Sequence, residues 1–418
     1  MSKYIIEGGH KLSGEVKVHG AKNSSLPLLA ATLLTADISA IENCPQITDL
    51  DAAKRILQHL GCEIKQEGNT LIVDTSVITC DDIPDELMRE MRSSIVFLGA
   101  IVSRLHQCKI SFPGGCELGA RPIDLHVSSL QQMGLKIEEQ HGCLDCFIDG
   151  KLKGANIALS FPSVGATENI MIAAALADGE TTITNAAREP EIVDLAAYLN
   201  KCGARIKGAG ESTIVISGVE KLHGCTHRVI PDRIVAATFM SAAAITRGDI
   251  VLIDVNPRDL ISVIPIFEEM GCAVTTDSSH IYIRCDGRPK AVRTIRTMPY
   301  PGFPTDSQAL LMAVMSVADG TSVFVENIFE NRYKHAAELA RLGAKIKVEG
   351  KVAIVEGIEQ LLSAPVRATD LRGGAAVIIG ALNAIGKTEV SGLAHISRGY
   401  QNLHETLNEL GAQILLED

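Results

Sequence analysis

A short sequence motif occurs six times along the chain, and in each copy the end of a predicted helix is followed by a glycine and then by an alternating, strand-like run. Successive copies are 68 to 73 residues apart, a regularity that chance does not produce. A fixed period of this size indicates a supersecondary unit that buries its apolar face only by packing against its neighbours. The glycines of the six copies are Gly61, Gly134, Gly203, Gly271, Gly343 and Gly411.

Each copy predicts two helices of different character. An amphipathic helix ends at each glycine, which suits a C′ residue, and an upstream helix is apolar on all sides, which predicts burial. With the β-type runs between and after them, the unit is helix, strand, helix, strand, strand. The buried helices are predicted at 24–35, 93–105, 166–177, 234–246, 307–318 and 374–385, and the amphipathic ones at 51–60, 124–133, 192–202, 259–270, 332–342 and 400–410.

The sixth unit stops before the return strands that the other units have. The segment from Ile6 to Val16 resembles the missing piece, so the last repeat is split across the two termini. Six such units exceed the core of one domain, and three per domain is the natural partition. We therefore expect one domain at residues 21–229 and a second at 230–418, completed by residues 1–20.

Composition excludes several classes of protein. The 418 residues are 46% hydrophobic and 21% charged, as in soluble globular proteins. A net charge of −11 opposes binding to a phosphate backbone, so we expect no nucleic-acid partner. The longest uncharged stretches run about 14 residues, short of the roughly 20 that span a bilayer, so we expect no membrane span. Without an apolar signal segment at the start, we expect a cytoplasmic protein whose eleven cysteines are reduced.

Two short motifs carry weak signals. Cys143 and Cys146 have the spacing of a metal or redox pair, but they lie in an alternating strand-like run with no second pair at zinc-site distance. The run from Gly380 to Thr388 has one residue too many for a phosphate-binding P-loop. We interpret the first as a strand and the second as a helix that ends in glycine.

Polar and charged residues collect just before the predicted buried helices. Bare N–H groups and a partial positive charge at helix N-termini attract anions. Asp, Ser, Thr and Asn there can be simple N-caps, but a cation opposes the helix dipole unless an anion joins it. We therefore expect phosphate or carboxylate ligands, bound where the domains face each other. The residues are Lys22, Asn23, Arg92, Ser163, Val164, Gly165, Asp232, Arg233, Thr305, Asp306, Asp370, Leu371 and Arg372, with Arg332 and Arg398 at or before amphipathic helices.

A Gly/Pro-rich loop from Phe112 to Leu125 carries Cys116, Arg121 and Asp124. Long loops of this kind often act as lids. A free cysteine is usually buried filler, whereas one between glycines and close to an arginine is an exposed, activated thiol. The residues alone leave both interpretations open.

Eight motifs in this order give the chain a family resemblance. It closely resembles the UDP-N-acetylglucosamine 1-carboxyvinyltransferases, the enolpyruvyl transferases of peptidoglycan synthesis, along essentially its whole length. The resemblance implies an α/β fold of two inside-out domains, each of three repeats, with the active site in the cleft between them. The motifs are AKNS at 21–24, PGGCELGARPIDL at 113–125, SVGAT at 163–167, AREPEIVDL at 187–195, PTD at 304–306, FENR at 329–332, TDLR at 369–372 and ISRGY at 396–400.

The resemblance implies that the enolpyruvyl group of phosphoenolpyruvate passes to the 3′-hydroxyl of UDP-N-acetylglucosamine, with release of phosphate and without a metal or organic cofactor. By resemblance, Cys116 protonates C3 and is the site of a phosphoenolpyruvate adduct and of alkylation by fosfomycin. Asp306 matches the base for the hydroxyl, and Lys22, Arg121 and Arg398 match the residues that hold the phosphate. Further implied contacts are Asn23, Arg332, Asp370 and Arg372 around phosphoenolpyruvate, and Arg92, Arg121, Pro122, Ile123, Asp124, Leu125, Ser163, Val164, Gly165, Asp306 and Ile328 around the sugar nucleotide.

One position departs from the family pattern. Phe161 stands where some relatives carry a lysine that could reach the diphosphate, so binding there falls to backbone N–H groups at the following helix start. Two alternatives also stay open. One is the shikimate 3-phosphate transferase of the same fold, which the Cys116 loop disfavours, and the other is a regulator that binds the sugar nucleotide without turnover.

Overall fold

The computed structural model describes residues 2–112, 123–140 and 142–417. In these residues it has thirteen α-helices and three 3-10 turns, at Arg92–Val96, Pro257–Leu260 and Leu393–His395. The helices are α1 (Lys22–Thr32), α2 (Thr48–His59), α3 (Asp85–Glu90), α4 (Phe97–Leu105), α5 (Asp124–Gln132), α6 (Val164–Ala174), α7 (Pro190–Lys201), α8 (Arg233–Thr246), α9 (Ile264–Glu269), α10 (Thr305–Met315), α11 (Lys334–Arg341), α12 (Leu371–Asn383) and α13 (Leu403–Glu409).

Strands alternate with these helices along the chain. They are β1 (Lys3–Glu7), β2 (Ser13–Lys17), β3 (Ile38–Glu42), β4 (Glu63–Glu67), β5 (Thr70–Asp74), β6 (Asp82–Ile83), β7 (Gln107–Ser111), β8 (Lys136–Gln140), β9 (Cys143–Phe147), β10 (Asn156–Ala158), β11 (Glu180–Thr184), β12 (Arg205–Lys207), β13 (Thr213–Ser217), β14 (Thr226–Arg228), β15 (Asp249–Ile253), β16 (Ala273–Thr276), β17 (His280–Arg284), β18 (Thr294–Arg296), β19 (Thr321–Val325), β20 (Lys345–Glu349), β21 (Val352–Glu356), β22 (Val366–Arg367), β23 (Lys387–Ser391) and β24 (Gln413–Glu417).

The described residues form two compact units. The first unit holds residues 20–112, 123–140 and 142–230, and the second unit holds residues 2–19 and 231–417. The sheets of the first unit have the strand orders β14-β3-β5-β4, β6-β7-β9-β8 and β10-β11-β13-β12. Those of the second unit are β2-β15-β17-β16, β18-β19-β21-β20 and β22-β23-β1-β24.

In each unit, one strand of every repeat joins the sheet of a neighbouring repeat. That strand pairs in parallel with its neighbour, and the other two pairs in every sheet are antiparallel. The third repeat returns β14 to the first sheet of the first unit, and β2 does the same for the second unit. The N-terminal β1 lies between β23 and β24, where it supplies the strand that the sixth repeat lacks.

The predicted buried helices form the centre of each unit. In the first unit α1, α4 and α6 contact one another, and in the second α8, α10 and α12 do so. Their apolar residues are almost wholly buried, from Leu28 of α1 to Ile379 of α12. The predicted α/β fold class, with the apolar helices buried, is therefore confirmed.

The glycine that follows each amphipathic helix has positive φ. The six values lie between +92° and +105°, a region that side chains with a Cβ rarely adopt, so the predicted C′ role is confirmed. Helix α9 is shorter than predicted, because a 3-10 turn with Pro257 at its start replaces the first residues of the predicted helix. Helix α3 was not predicted.

The expectation of eleven reduced cysteines is wrong for Cys272 and Cys285, which form a disulfide with a Cα–Cα distance of 4.5 Å. They flank β16 and β17, whose antiparallel register pairs Ala273 with Arg284 and so sets the two cysteines opposite each other. Directly opposed residues in a non-hydrogen-bonded pair lie at about this distance. Cys143 and Cys146 lie in β9, as predicted.

Among residues 2–112, 123–140 and 142–417, no helix has the length and hydropathy that a bilayer-spanning segment requires.

Candidate active site

A carboxylate lies among arginines where the three central helices of the second unit begin. Asp306 is the second residue of α10, and its Oδ1 accepts hydrogen bonds from Arg332 Nη2 at 3.3 Å and from Arg372 Nε at 3.2 Å. Arg372 is the second residue of α12, and Arg233 is the first of α8. Asp306 keeps 30% of its side chain exposed, whereas Arg332 and Arg372 are almost fully buried. A ligand can therefore reach the carboxylate, while the arginines are fixed in place.

The charges around Asp306 keep it ionised. Burial raises the pKa of Asp306, but the positive charges of Arg372, Arg332 and Arg233 outweigh that effect and hold the pKa well below its ordinary value. The carboxylate accepts hydrogen bonds and is a weak base in this arrangement. An anion that bound the arginines would weaken their hold on Asp306 and raise its basicity.

One nitrogen of the Arg372 guanidinium can still donate a hydrogen bond to a ligand. Asp370 caps α12, its Oδ1 accepting the backbone N–H groups of Arg372 at 3.1 Å and Gly373 at 3.0 Å. The guanidinium lies 5.5 Å from the ring centre of Tyr400. Its Nη1 is buried and has no hydrogen-bond acceptor within the described part of the chain. A buried guanidinium nitrogen without an acceptor costs free energy that an anionic ligand would recover.

The segment after β19 is tied to the start of α10. The buried carboxylate of Glu326 accepts hydrogen bonds from the Thr305 hydroxyl at 3.0 Å and from the Ile328 backbone N–H at 2.8 Å. Arg332 Nη2 also donates to the carbonyl of Thr305 at 3.0 Å. These contacts tie the backbone of Ile328, through Glu326, to the start of α10, and they place Arg332 beside Asp306. The sequence prediction did not include Glu326.

Arg398 lies in a turn that packs on the start of α12. A Cβ at Gly399 would come within 2.7 Å of the Leu371 side chain, so the turn and the helix are in close contact. The second unit therefore brings together five of the predicted site residues, and Arg398 lies in a turn beside them. The five are Asp306, Ile328, Arg332, Asp370 and Arg372.

In the first unit, Lys22 begins α1 and pairs with a buried acid. Its Nζ lies 2.7 Å from Asp49 Oδ2, and the two side chains are 11% and 3% exposed. Helix α1 has no side-chain N-cap, and Asn23 follows Lys22 in its first turn. Asp49, in the first turn of α2, was not predicted. Its signal in the sequence is an acidic residue near the apolar face of an amphipathic helix, because a buried carboxylate needs a partner.

A second group in the first unit surrounds His126. Burial lowers the pKa of His126 to about 4, and the positive charge of Arg92 adds to this effect. A Cβ at Gly165 would lie 3.1 Å from the His126 ring, so the start of α6 packs closely against this ring. Ser163 caps α6 by accepting the Ala166 N–H at 3.3 Å. The predicted residues Arg92, Asp124 and Gly165 thus lie close to one neutral histidine, and Leu125, Ser163 and Val164 are next to them in the sequence.

Behind α1 lies a buried polar chain that the sequence prediction missed. Ser24 donates to Asp194 Oδ2, and His227 Nε2 donates to Asp194 Oδ1 at 2.8 Å. Ser24 is two residues from Lys22, so this chain fixes the first turn of α1 against α7 and β14. Its members come from three distant segments, which no local pattern connects.

Three predicted residues, Cys116, Arg121 and Pro122, lie outside the described residues, as does most of the predicted lid. Ile123 is buried just before α5. Phe161 is 41% exposed shortly before α6.

Comparison with known proteins gives full-length matches. The family of EPSP synthase (3-phosphoshikimate 1-carboxyvinyltransferase) matches residues 6–407. UDP-N-acetylglucosamine 1-carboxyvinyltransferase 2 of Caldanaerobacter subterraneus subsp. tengcongensis is 51% identical over 415 residues, or 99% of each chain. UDP-N-acetylglucosamine 1-carboxyvinyltransferase of Gloeobacter violaceus is 48% identical over 410 residues, or 98% of this chain and 89% of that one.

Two solved structures share the fold. The enolpyruvyl transferase NikO from Streptomyces tendae matches with a TM-score of 0.90 and 26% identity, covering 99% of this chain and 98% of that one. EPSP synthase from Acinetobacter baumannii matches with a TM-score of 0.77 and 20% identity over the whole of both chains. The latter likeness concerns the fold alone.

Proposed function

The chain belongs to the UDP-N-acetylglucosamine 1-carboxyvinyltransferases, and we propose that it transfers the enolpyruvyl group of phosphoenolpyruvate to the 3′-hydroxyl of UDP-N-acetylglucosamine, releasing phosphate. The observation that carries this proposal is the 51% identity over 99% of both chains to a transferase of that name. The arginines around Asp306 support it, because both proposed substrates are anions.

The proposed chemistry is addition followed by elimination. The 3′-hydroxyl loses its proton and attacks C2 of phosphoenolpyruvate while C3 gains a proton, which gives a tetrahedral intermediate. Loss of a proton from C3 and of phosphate from C2 then forms the enol ether. One acid and one base suffice for both steps. We assign the acid to Cys116 and the base to Asp306.

Because its pKa is low, Asp306 can act as the base only if its basicity rises when the substrates bind. A carboxylate held by arginines is a poor base until their charge is shared with something else. We propose that an anionic group of phosphoenolpyruvate binds Arg332 and Arg372, with Arg372 Nη1 as one donor. Asp306 would then become more basic only when phosphoenolpyruvate is present, so that proton removal is coupled to the presence of both substrates.

The remaining assignments divide between phosphate and nucleotide. We propose that Lys22, Arg121 and Arg398 hold the leaving phosphate, where stabilising developing charge lowers the barrier. We propose that Asn23 and Asp370 complete the surroundings of phosphoenolpyruvate. The sugar nucleotide would bind Arg92, the 121–125 segment, the start of α6 at Ser163–Gly165, Asp306 and Ile328. Bare N–H groups at the start of α6 suit its diphosphate.

The test is an acceptor-specific assay of phosphate release. Purified protein with phosphoenolpyruvate should release phosphate with UDP-N-acetylglucosamine and not with shikimate 3-phosphate. Release with shikimate 3-phosphate alone would assign the other transferase activity. Binding of the sugar nucleotide without any release would assign the regulatory function instead.

The role of Cys116 has its own test. Cys116→Ala should retain sugar-nucleotide binding and lose turnover by at least a hundredfold, whereas Cys143→Ser, a control in β9, should keep full turnover. Mass spectrometry after treatment with fosfomycin should find one adduct, on the peptide with Cys116. Full turnover in Cys116→Ala, or an adduct on another cysteine, would remove the thiol from the mechanism. A cytoplasmic location and a part in cell-wall synthesis, cell shape and division belong to the same proposal.

A further inference from the structure

Three side chains with metal-binding atoms lie together in the first unit, apart from the residues assigned to the reaction. They are His59, Cys80 and Asp82, one ligand atom of each lying within 4.8 Å of the others. All three are partly buried. His59 Nε2 and Asp82 Oδ1 are already 3.3 Å apart. The cluster therefore combines an imidazole, a thiol and a carboxylate in one partly buried place.

The fold holds these side chains in place through its backbone. His59 is the last residue of α2, and Asp82 begins β6, which pairs in parallel with β7. Between them, the Thr79 N–H donates to the Leu60 carbonyl at 2.8 Å, so the segment with Cys80 is fastened to the end of α2. Asp81 is engaged elsewhere, as acceptor for the Gln107 amide. The cluster is thus assembled by two segments with fixed relative positions.

The ligand set matches one class of metal ion. Nitrogen, sulfur and one carboxylate oxygen favour zinc, whereas magnesium and calcium take oxygen ligands. Ligand atoms of a tetrahedral zinc ion lie about 3.3 to 3.8 Å apart, given bond lengths of roughly 2.0 to 2.3 Å. His59 Nε2 and Asp82 Oδ1 already lie at this distance, and since the three ligand atoms lie within 4.8 Å of one another, the thiol sulfur needs to move by about 1 Å to complete the set.

We propose that His59, Cys80 and Asp82 bind a zinc ion, with water as the fourth ligand. Binding releases the thiol proton, because the thiolate is the ligand. The ion would fasten the end of α2 to the start of β6. Since the first turn of α2 carries Asp49, the partner of Lys22, the ion would also stiffen the helix that supports this lysine.

The test is a titration of metal-free protein with Co²⁺, a zinc substitute whose bonds to thiolate absorb in the near ultraviolet. Wild type and Cys143→Ser should develop this band with one ion per chain at the site. Cys80→Ser should lack that component, and His59→Gln should bind at least tenfold more weakly. Zinc, measured by equilibrium dialysis, should follow the same order, and magnesium should not compete.

Controls separate loss of the site from loss of the fold. Metal-free Cys80→Ser should keep the circular dichroism spectrum and the turnover of wild type, and zinc should raise the melting temperature of wild type more than that of Cys80→Ser. If His59→Gln fails to fold, Cys80→Ser and Asp82→Asn decide the question. Equal Co²⁺ spectra and equal zinc content in wild type and Cys80→Ser would overturn the proposal.

Discussion

The two units place different chemistry on the same three-helix plan. In each unit two of the central helices have a cation at or before their start: Lys22 on α1 and Arg92 on the 3-10 turn that leads into α4 in the first unit, Arg233 on α8 and Arg372 on α12 in the second. The third helix begins differently. In the second unit it starts with the carboxylate of Asp306, and in the first it starts with Ser163, Val164 and Gly165.

This difference determines where negative charge is already present. In the second unit the carboxylate of Asp306 accepts hydrogen bonds from two of the arginines, so these cations already pair with an acid of their own unit. In the first unit the first turn of α6 carries no acidic residue, and the acid that pairs with Lys22 comes from α2 instead. The repeat fixes the backbone, whereas single residues at the helix starts decide whether a helix begins with a carboxylate, as α10 does, or without one, as α6 does.

The largest expected effect compares the two carboxylates. Asp306→Asn should lower kcat by about 10²- to 10⁴-fold, because it removes the proposed base. Asp49→Asn should lower kcat by only about tenfold, because Lys22 keeps its charge and loses a positioning partner. Steady-state kinetics with saturating substrates measures both, and circular dichroism checks that each variant is folded. Equal losses would mean that Asp306 serves only to hold arginines, as Asp49 holds its lysine.

Much of the architecture could be predicted because it is local and repeated. The glycines after the amphipathic helices need positive φ, and the central helices are apolar on every side, so their pattern alone indicates burial. The start of the chain could be matched to the missing strand of the last repeat because the same phrase occurs elsewhere. The short helix α3 was not predicted, because its six residues show no clear hydrophobic periodicity.

The site could be predicted only as a set of residue types. A cation at a helix start signals an anion, which singled out Lys22 and Arg372, but their partners come from distant segments. Asp49 is 27 positions from Lys22, and Asp306 is 66 positions from Arg372. The lowered pKa of Asp306 depends on three arginines that come from separate helices and turns. The spacing of residues along the chain therefore could not have predicted it. The Cys272–Cys285 pair is different, because hairpin register could have predicted it.

A second comparison concerns one buried histidine in each unit. Burial lowers the pKa of His126 to about 4, with help from Arg92, and burial lowers the pKa of His335 to about 4, with help from Arg332. A lowered folded-state pKa means that the unfolded chain binds more protons between about pH 4 and 6.5, so stability falls as pH falls through this range. The full loss is roughly 3 kcal/mol per histidine.

Histidine proton NMR measures this directly, with His126→Gln and His335→Gln assigning the two resonances. Both should titrate near pH 4, and Arg92→Gln should raise the pKa of His126 while leaving that of His335 unchanged. Urea midpoints of His126→Gln should depend less on pH between 4 and 6.5 than those of wild type. A resonance of either histidine that titrates at its ordinary pKa would show that its surroundings admit the charged form.

The smallest expected effect compares the helix caps. Asp232 Oδ1 accepts two backbone N–H groups at the start of α8, at 2.8 and 3.0 Å, whereas Ser163 accepts one at 3.3 Å at the start of α6. Removing the first cap should cost about 1 to 2 kcal/mol and removing the second about 0.5 to 1 kcal/mol. Asp232→Ala should therefore accelerate amide hydrogen exchange at the start of α8 more than Ser163→Ala accelerates it at the start of α6. Asp232→Asn keeps an oxygen acceptor without the charge, so it should exchange nearly as slowly as wild type. If Asp232→Asn instead exchanged as fast as Asp232→Ala, the negative charge beside Arg372, rather than the cap, would be what holds the start of α8.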